Sequence, residues 1–198
     1  MNKLVKKLML VAAMLMLAAG PSFAADAIRI GLMCPLTGKW ASEGQDMQQI
    51  VSLLVSEVNK AGGINGKQIE LIVEDDAGDP RTASLAAQKL ASAGVMAVIG
   101  TYGSAVTEAS QNIIDEAEIM QIATGSTSVR LTEKGLPLFF RTCPRDDEQG
   151  RVASKVIAAK GFKKVAILHD NSAYAKGLAD EAKQRILDKK SADIVFFD

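Results

Sequence analysis

The chain has 198 residues, of which 48% are hydrophobic and 23% charged, with one His and two Cys. This composition is typical of a folded globular protein and excludes disordered, collagen-like and disulfide-dense classes. The small number of His and Cys also excludes most zinc sites, which take their ligands mainly from these residue types.

Residues 1–24 have the three-part pattern of a secretory signal peptide. Met1–Lys7 is short and basic, Leu8–Ala19 is continuously apolar, and the small residues Ser22 and Ala24 precede the expected cleavage site. The alternative is a membrane anchor, but a spanning helix needs about 20 apolar residues. We therefore expect cleavage after Ala24 and export of the mature product out of the cytoplasm.

Removal of this segment changes the charge balance. The whole chain has 23 Lys and Arg against 23 Asp and Glu, and three of the lysines lie in the first 24 residues. The remainder has 20 basic and 23 acidic residues, a net charge of −3. An acidic chain without a basic cluster is a poor candidate for binding nucleic acid.

The hydrophobic pattern after Ala24 alternates short apolar runs with stretches of helical spacing. The predicted strands are Ile28–Met33, Gln68–Glu74, Val95–Ile99 and Met120–Ala123, and the predicted helices are Gln45–Ala61, Arg81–Ser92 and Ser104–Glu118. Asp79 and Pro80 supply an N-cap and a first-turn proline for the second helix. Continuous apolar strands alternating with helices predict an α/β fold with a doubly wound parallel sheet.

The rest of the chain supplies fewer elements. The pattern predicts an extended segment at Leu138–Arg141, helices at Asp147–Lys160 and Tyr174–Lys190, and strands at Val165–Leu168 and Ile194–Phe197. We therefore expect a first α/β lobe over residues 25–141, and a hinge crossing with an incomplete second α/β lobe over residues 142–198. Its strands should have uncovered apolar faces and edges, which favour aggregation.

Two cysteines in an oxidising compartment permit one disulfide, between Cys34 and Cys143. Each precedes a proline at the end of an apolar segment, so both are expected at one end of a sheet. The alternative is two separate, half-buried thiols that act as small hydrophobic groups.

Catalytic motifs are scarce in this sequence. It has no phosphate-binding loop, no dinucleotide-binding glycine motif and no nucleophile elbow. His169, followed by Asp170, could orient a base, but the simpler interpretation is a histidine that caps the next loop. The acidic runs at 75–76 and 146–148 precede predicted helices, where carboxylates are favoured by the helix dipole, although they could also attract a metal. We expect no enzyme activity, no metal and no cofactor.

Two loops at the carboxyl ends of predicted strands favour binding of a small molecule. Thr101–Ser104 and Thr124–Ser128 are dense in hydroxyl groups and glycine. Ligands of open α/β sheets bind at this edge, and the first loop opens a helix whose free N–H groups suit a carboxylate. The alternative is that these residues only form caps and turns.

Several motifs together resemble one protein family. They are Ile30–Gly38, Val58–Gly66, Glu74–Pro80, Val98–Gly100 and Phe140–Thr142. In this order they resemble the periplasmic branched-chain amino-acid (Leu/Ile/Val) binding proteins of ABC importers, which have the type I periplasmic binding protein fold. The resemblance implies two α/β lobes that close over a ligand, and it covers only the first half of a family member.

The resemblance also implies roles for individual residues. Ser104 would bind the ligand carboxylate, the Gly125 carbonyl and the Thr127 hydroxyl would hold the α-ammonium, and Tyr174 would close over the ligand from the second lobe. Where relatives often place an aromatic residue against the ligand side chain, this chain has Glu43, with Trp40 three residues earlier, which suggests a polar or larger ligand. The acidic partner of the ammonium would lie beyond Asp198.

These observations predict an exported, monomeric solute-binding protein that delivers an amino acid, or a related amide or small carboxylate, to the membrane permease of an ABC importer. The alternatives are a ligand-sensing module of the same fold, a hydrolase that uses His169, and a truncated remnant that does not bind. Because only part of the cleft is present, we expect weak binding.

Overall fold

The computed structural model describes residues 27–198, so the expected signal peptide and its cleavage site lie outside the described residues. The strands are β1 (Ile28–Cys34), β2 (Ile69–Asp75), β3 (Ala97–Ile99), β4 (Met120–Ala123), β5 (Phe139–Arg141), β6 (Lys164–Ile167) and β7 (Asp193–Phe197). The helices are α1 (Ala41–Lys60), α2 (Pro80–Ser92), α3 (Ser104–Glu116), α4 (Arg130–Glu133), α5 (Asp146–Lys160) and α6 (Ala173–Asp188). Each predicted element is present, and α1 begins four residues before its predicted start.

Five strands form one parallel sheet in the order β2-β1-β3-β4-β5. The reversal of strand order at β1 is the signature of a doubly wound sheet, so the predicted fold class is confirmed. The central strand β1 ends in Leu32, Met33 and Cys34, all fully buried, as expected for a strand covered on both faces.

Helix α2 packs on this sheet through an apolar face of small residues. Its buried positions, Ala83, Ala86, Ala87 and Leu90, follow the spacing of one helix face. Asp79 caps the helix as predicted, because its carboxylate accepts hydrogen bonds from the N–H groups of Arg81 and Thr82 at 3.0 and 2.9 Å. Leu90 and Val98 belong to the main hydrophobic core.

The second sheet contains only β6 and β7, which pair in parallel. Apolar side chains in β7 and just after β6 are open to solvent: Val195 is 57% exposed, Phe196 50% and Leu168 75%. Uncovered faces were expected here. In the described part of the chain, no helix has the length and apolar character needed to cross a membrane.

No disulfide joins Cys34 and Cys143; of the two alternatives that the sequence left open, the structure has the separate free thiols. They do lie at the same edge of the first sheet, but β1 and β5 are separated by three strand spacings, about 14 Å, which is too far for a bridge. Burial raises the pKa of Cys34 to about 12, assisted by the negative charges of Asp76 and Asp75.

Gly44 allows α1 to begin against the end of β1. A Cβ atom at this position would overlap the backbone carbonyl of Pro35. We expect Gly44→Ala to lower the free energy of unfolding by about 1–3 kcal/mol, the usual cost of overpacking, although alanine favours helices. Urea unfolding measures the change, with the exposed neighbour substitution Gln45→Ala as the control that stays within about 0.5 kcal/mol. Equal stabilities of the two variants would contradict this role.

Candidate ligand-binding site

The loops that follow β1, β3 and β4 meet above one edge of the sheet and enclose a cavity of about 220 Å³. The residues that line it are Trp40, Tyr102, Gly103, Ser104, Gly125, Thr127 and Tyr174. Five of the six predicted binding residues are therefore brought together. Glu43 is not among them: it lies in the first turn of α1, and its carboxylate accepts a hydrogen bond from the neighbouring Ser42 hydroxyl at 2.9 Å.

Ser104 is the first residue of α3 and faces the cavity. The preceding residue is Gly103, so no side chain caps this helix end and its first N–H groups are available. The Ser104 hydroxyl oxygen accepts a hydrogen bond from the N–H of Ser128 at 3.2 Å. Its hydrogen remains free to donate, and together with the helix end it suits a carboxylate.

The loop after β4 contributes Gly125 and Thr127. A Cβ atom at position 125 would lie 2.7 Å from the ring of Tyr102, so glycine is required for this ring to lie against the loop. Thr127 is 8% exposed, and its hydroxyl oxygen makes no hydrogen bond. The Thr127 carbonyl accepts a hydrogen bond from the N–H of Asp146 at 3.0 Å, which ties this loop to the start of α5.

Three aromatic rings surround the cavity. Trp40 and Tyr102 meet edge to face with ring centroids 5.7 Å apart, and Tyr174 comes from the start of α6, beside the second sheet. They are the only tryptophan and the only two tyrosines of the chain. Tyr102 was not predicted as a ligand residue, although it lies in a loop that the sequence had singled out.

The position of Trp40 depends on two glycines. Cβ atoms at Gly78 and Gly103 would lie 2.8 and 2.7 Å from its indole ring. The Lys39 ammonium lies 4.2 Å from the ring centroid, a cation–π contact. The indole is therefore held against the backbone that follows β2 and β3.

Several hydroxyl groups in and beside the two polar loops form hydrogen bonds inside the protein. Thr101, Thr107 and Ser126 are fully buried and their hydroxyls form a connected chain of hydrogen bonds. Of the hydroxyl side chains in these loops, only Ser104, Thr127 and Tyr102 line the cavity. Some groups of these loops thus face the cavity, while others fix the loops.

Arg141, at the end of β5, organises the loop after β4. Its guanidinium donates to the carbonyls of Ser126 and Ser128, both at 2.9 Å, and to the Thr132 hydroxyl at 2.9 Å. Partial burial lowers its pKa. In the sequence Arg141 stands out only as part of a motif, because nothing local to it shows that its carbonyl partners lie thirteen to fifteen residues earlier.

The carboxylates of the acidic run at 75–76 accept hydrogen bonds from nearby backbone N–H groups. Asp75 accepts hydrogen bonds from the N–H groups of Leu36 and Ala77 at 2.8 and 2.7 Å, and from the Thr37 hydroxyl at 2.6 Å. These bonds lower its pKa, although partial burial opposes them. Within residues 27–198, no three His, Cys, Asp or Glu side chains are grouped so as to hold a metal.

His169 follows β6 and caps a loop. Its Nδ1 atom accepts a hydrogen bond from the N–H of Asn171 at 3.1 Å, and its ring packs edge to face on Phe197. The Asp170 carboxylate accepts instead from the N–H of Ser172 at 2.9 Å. The two side chains are thus engaged separately, which does not support a catalytic pair.

The sequence profile of a family described as "Periplasmic binding protein" matches residues 27–195. The chain belongs to this family. It is 41% identical over 172 residues to "Leu/Ile/Val-binding protein homolog 1" of Brucella abortus (strain 2308), a match that covers 86% of this chain and 46% of that protein. The chain thus spans about half the length of the curated relatives it matches.

Solved structures agree with this assignment. The branched-chain amino acid transporter substrate binding protein of Streptococcus pneumoniae, in complex with isoleucine, is 29% identical with a TM-score of 0.75, over 87% of this chain and 49% of that one. A solute binding protein of an ABC transporter from Rhodopseudomonas palustris BisB5, in complex with 3,4-dihydroxy benzoic acid, is 26% identical with a TM-score of 0.77. This match covers 87% of this chain and 47% of that one. These proteins are named as binding proteins and not as enzymes.

Asp76 gives the stability a pH dependence. Its side chain is fully buried with one oxygen unpartnered, and burial raises its pKa to about 6. Because the folded pKa exceeds the ordinary value of 3.8, stability from the neutral carboxyl is complete below about pH 4 and is lost as the pH rises through 6. From this shift, we expect the free energy of unfolding of the unsubstituted chain to fall by an amount on the order of 2–3 kcal/mol between pH 4 and pH 8. Asp76→Asn should not show this fall, because asparagine does not ionise.

Urea unfolding across this pH range measures the effect of Asp76→Asn. The control is Asp79→Asn, since asparagine is an equally good N-cap at that exposed position. An Asp76→Asn variant with the pH dependence of the unsubstituted chain would show that this carboxyl stays charged.

Gly103→Ala tests the placement of Trp40. The new methyl group would displace the indole from the cavity, so we expect the tryptophan emission to shift to longer wavelength and the stability to fall by about 1–3 kcal/mol. Trp40 is the single tryptophan, so the emission reports this site alone. Adding Trp40→Leu to Gly103→Ala should restore part of the stability, because the smaller side chain leaves room for the methyl group. An unchanged emission spectrum in Gly103→Ala alone would contradict the contact between Gly103 and Trp40.

Proposed function

We propose that this chain is part of an exported solute-binding protein that captures an amino acid in the periplasm and delivers it to the membrane permease of an ABC importer. The observation that carries the proposal is the cavity that Ser104, Gly125, Thr127 and Tyr174 share. The basic and apolar pattern of residues 1–24 supports export, and the names of the relatives support an amino acid as the ligand.

The two ends of an amino acid fit different parts of this cavity. The free N–H groups and hydroxyl at the start of α3 suit a carboxylate, while the Gly125 carbonyl and the Thr127 hydroxyl offer oxygen atoms to an ammonium. Tyr174 approaches from α6, so movement of residues 142–198 relative to residues 25–141 would cover the ligand. We propose this division as the hinge of the protein.

A ring-bearing carboxylate is a second candidate ligand. The observation in its favour is the group of three aromatic rings around the cavity, because such rings stack well on a flat ligand. The Rhodopseudomonas palustris relative, crystallised with 3,4-dihydroxy benzoic acid, agrees with this candidate.

For the chain as a whole, two further functions are candidates. They are a ligand-sensing module of the same fold and a remnant that does not bind.

Titration of residues 25–198 with L-leucine, L-isoleucine, L-valine and 3,4-dihydroxybenzoate tests the proposal. We expect binding of at least one amino acid with a dissociation constant above the low-micromolar range, because the cavity is contacted mainly from one side. Trp40 fluorescence and calorimetry measure it. Ser104→Ala should weaken binding about tenfold or more, since it removes a hydrogen bond to a charged group worth about 1.5–3 kcal/mol.

Ser52→Ala is the matched control, since Ser52 is exposed on α1 and does not line the cavity. Binding of the benzoate alone would favour the second candidate. No heat and no fluorescence change with any of the four compounds up to tens of millimolar would identify this chain as a non-binding remnant.

A further inference from the structure

Two buried polar atoms without a hydrogen-bond partner lie on one side of the cavity, one on a residue that lines it and one on a residue behind it. They are the hydroxyl oxygen of Thr127 and the Oδ2 atom of Asp146. Their residues are adjacent in space, because the backbone N–H of Asp146 donates to the Thr127 carbonyl at 3.0 Å. The hydroxyl is also near enough to the carboxylate to lower the pKa of Asp146 against the effect of burial. The two side chains are therefore close enough to influence each other.

The Asp146 carboxylate has no direct ionic partner among the described residues. It is fully buried at the first turn of α5, and its other oxygen accepts only a weak hydrogen bond from the Gln149 amide at 3.3 Å. The nearby Arg141 directs its Nη donors to Ser126, Ser128 and Thr132. The adjacent Asp147, in contrast, forms an ion pair with Arg145 at 3.0 Å.

The charged groups around Asp146 act in opposite directions, and neither the unpartnered Nε of Arg141 nor the ammonium of Lys176, which lines a neighbouring cavity with Asp146, forms an ion pair with it. Burial has the largest effect and raises its pKa; Arg141 favours the charged form, whereas Glu181 from α6 and Asp147 from α5 oppose it. A buried carboxylate without a cationic partner is costly. A cation that reaches the adjacent part of the cavity would therefore be stabilised by this charge.

We propose that Asp146 is the positioning residue for the ammonium group of the ligand. It accepts the hydrogen of the Thr127 hydroxyl, which turns the oxygen lone pairs of Thr127 toward the ligand, and its negative charge stabilises the ammonium from behind the loop. Asp146 acts through Thr127 and does not line the 220 Å³ cavity itself. The inference rests on the proposed function, and it selects ligands that carry both an ammonium and a carboxylate.

A matched pair of ligands tests this role. L-leucine and 4-methylpentanoate have the same carbon skeleton and carboxylate, but only leucine has the ammonium. We expect Asp146→Asn to weaken leucine binding at least tenfold while changing 4-methylpentanoate binding less than threefold. Thr127→Val should act in the same way, and the double variant should lose little more than either single variant, because the two residues act together.

Asp147→Asn is the control, since Asp147 is the neighbouring acid and already has a cationic partner. Equal losses for both ligands in Asp146→Asn would show a purely structural role and overturn the inference. If the unsubstituted chain binds neither ligand, the proposed function fails for this chain.

A second measurement needs no ligand. Carbon-13 NMR of the Asp146 carboxyl should show a higher pKa in Thr127→Val than in the unsubstituted chain, because a hydroxyl that donates to the carboxylate stabilises its charged form. Thr132→Val is the control for loss of a hydroxyl elsewhere. An unchanged pKa in Thr127→Val would overturn the hydrogen bond on which the inference depends, whatever the outcome of the titrations.

Discussion

Parallel pairing is the constraint on which the site depends. Because β1, β3 and β4 run in the same direction, their carboxyl ends meet at one edge, and the loops after them must pack above it. Two large rings, Trp40 and Tyr102, fit there because glycine occupies positions 78, 103 and 125, where a Cβ atom would meet one of them within 2.8 Å. The backbone at these three positions thus lies closer to the aromatic rings than a residue with a side chain would permit.

The polar interior around this edge holds the loops in place. The hydroxyl chain of Thr101, Thr107 and Ser126 links the loop after β3 to the loop after β4, and Arg141 fixes the second loop through two of its carbonyls. These groups lose water on folding, and the hydrogen bonds among them offset that loss. The cavity is therefore formed by loops that are fixed before any ligand arrives.

Sequence reasoning recovered the elements because each depends on local signals. The apolar run of β1 and the Asp79 cap with Pro80 both act within a few residues. The two polar loops were singled out in the same way, and Ser104, Gly125 and Thr127 from these loops line one cavity. The sequence left open whether Cys34 and Cys143 form a disulfide, because proximity to the same sheet edge says nothing about how many strands lie between two cysteines.

Some features of the site depend on contacts that no local pattern shows. Tyr102 reaches the cavity because Gly125, more than twenty residues later, leaves room for its ring. Asp146 is one of three acidic residues at a helix start, yet only it is buried without an ionic partner among the described residues. Helix α6 contacts both the cavity and Asp146. Tyr174 lines the cavity, and Gly177, one turn later, packs against Asp146. A Cβ atom at position 177 would lie 3.2 Å from Oδ2 of Asp146. Residues three apart share a helix face, so any movement of α6 over the ligand also changes the space around the charge behind it.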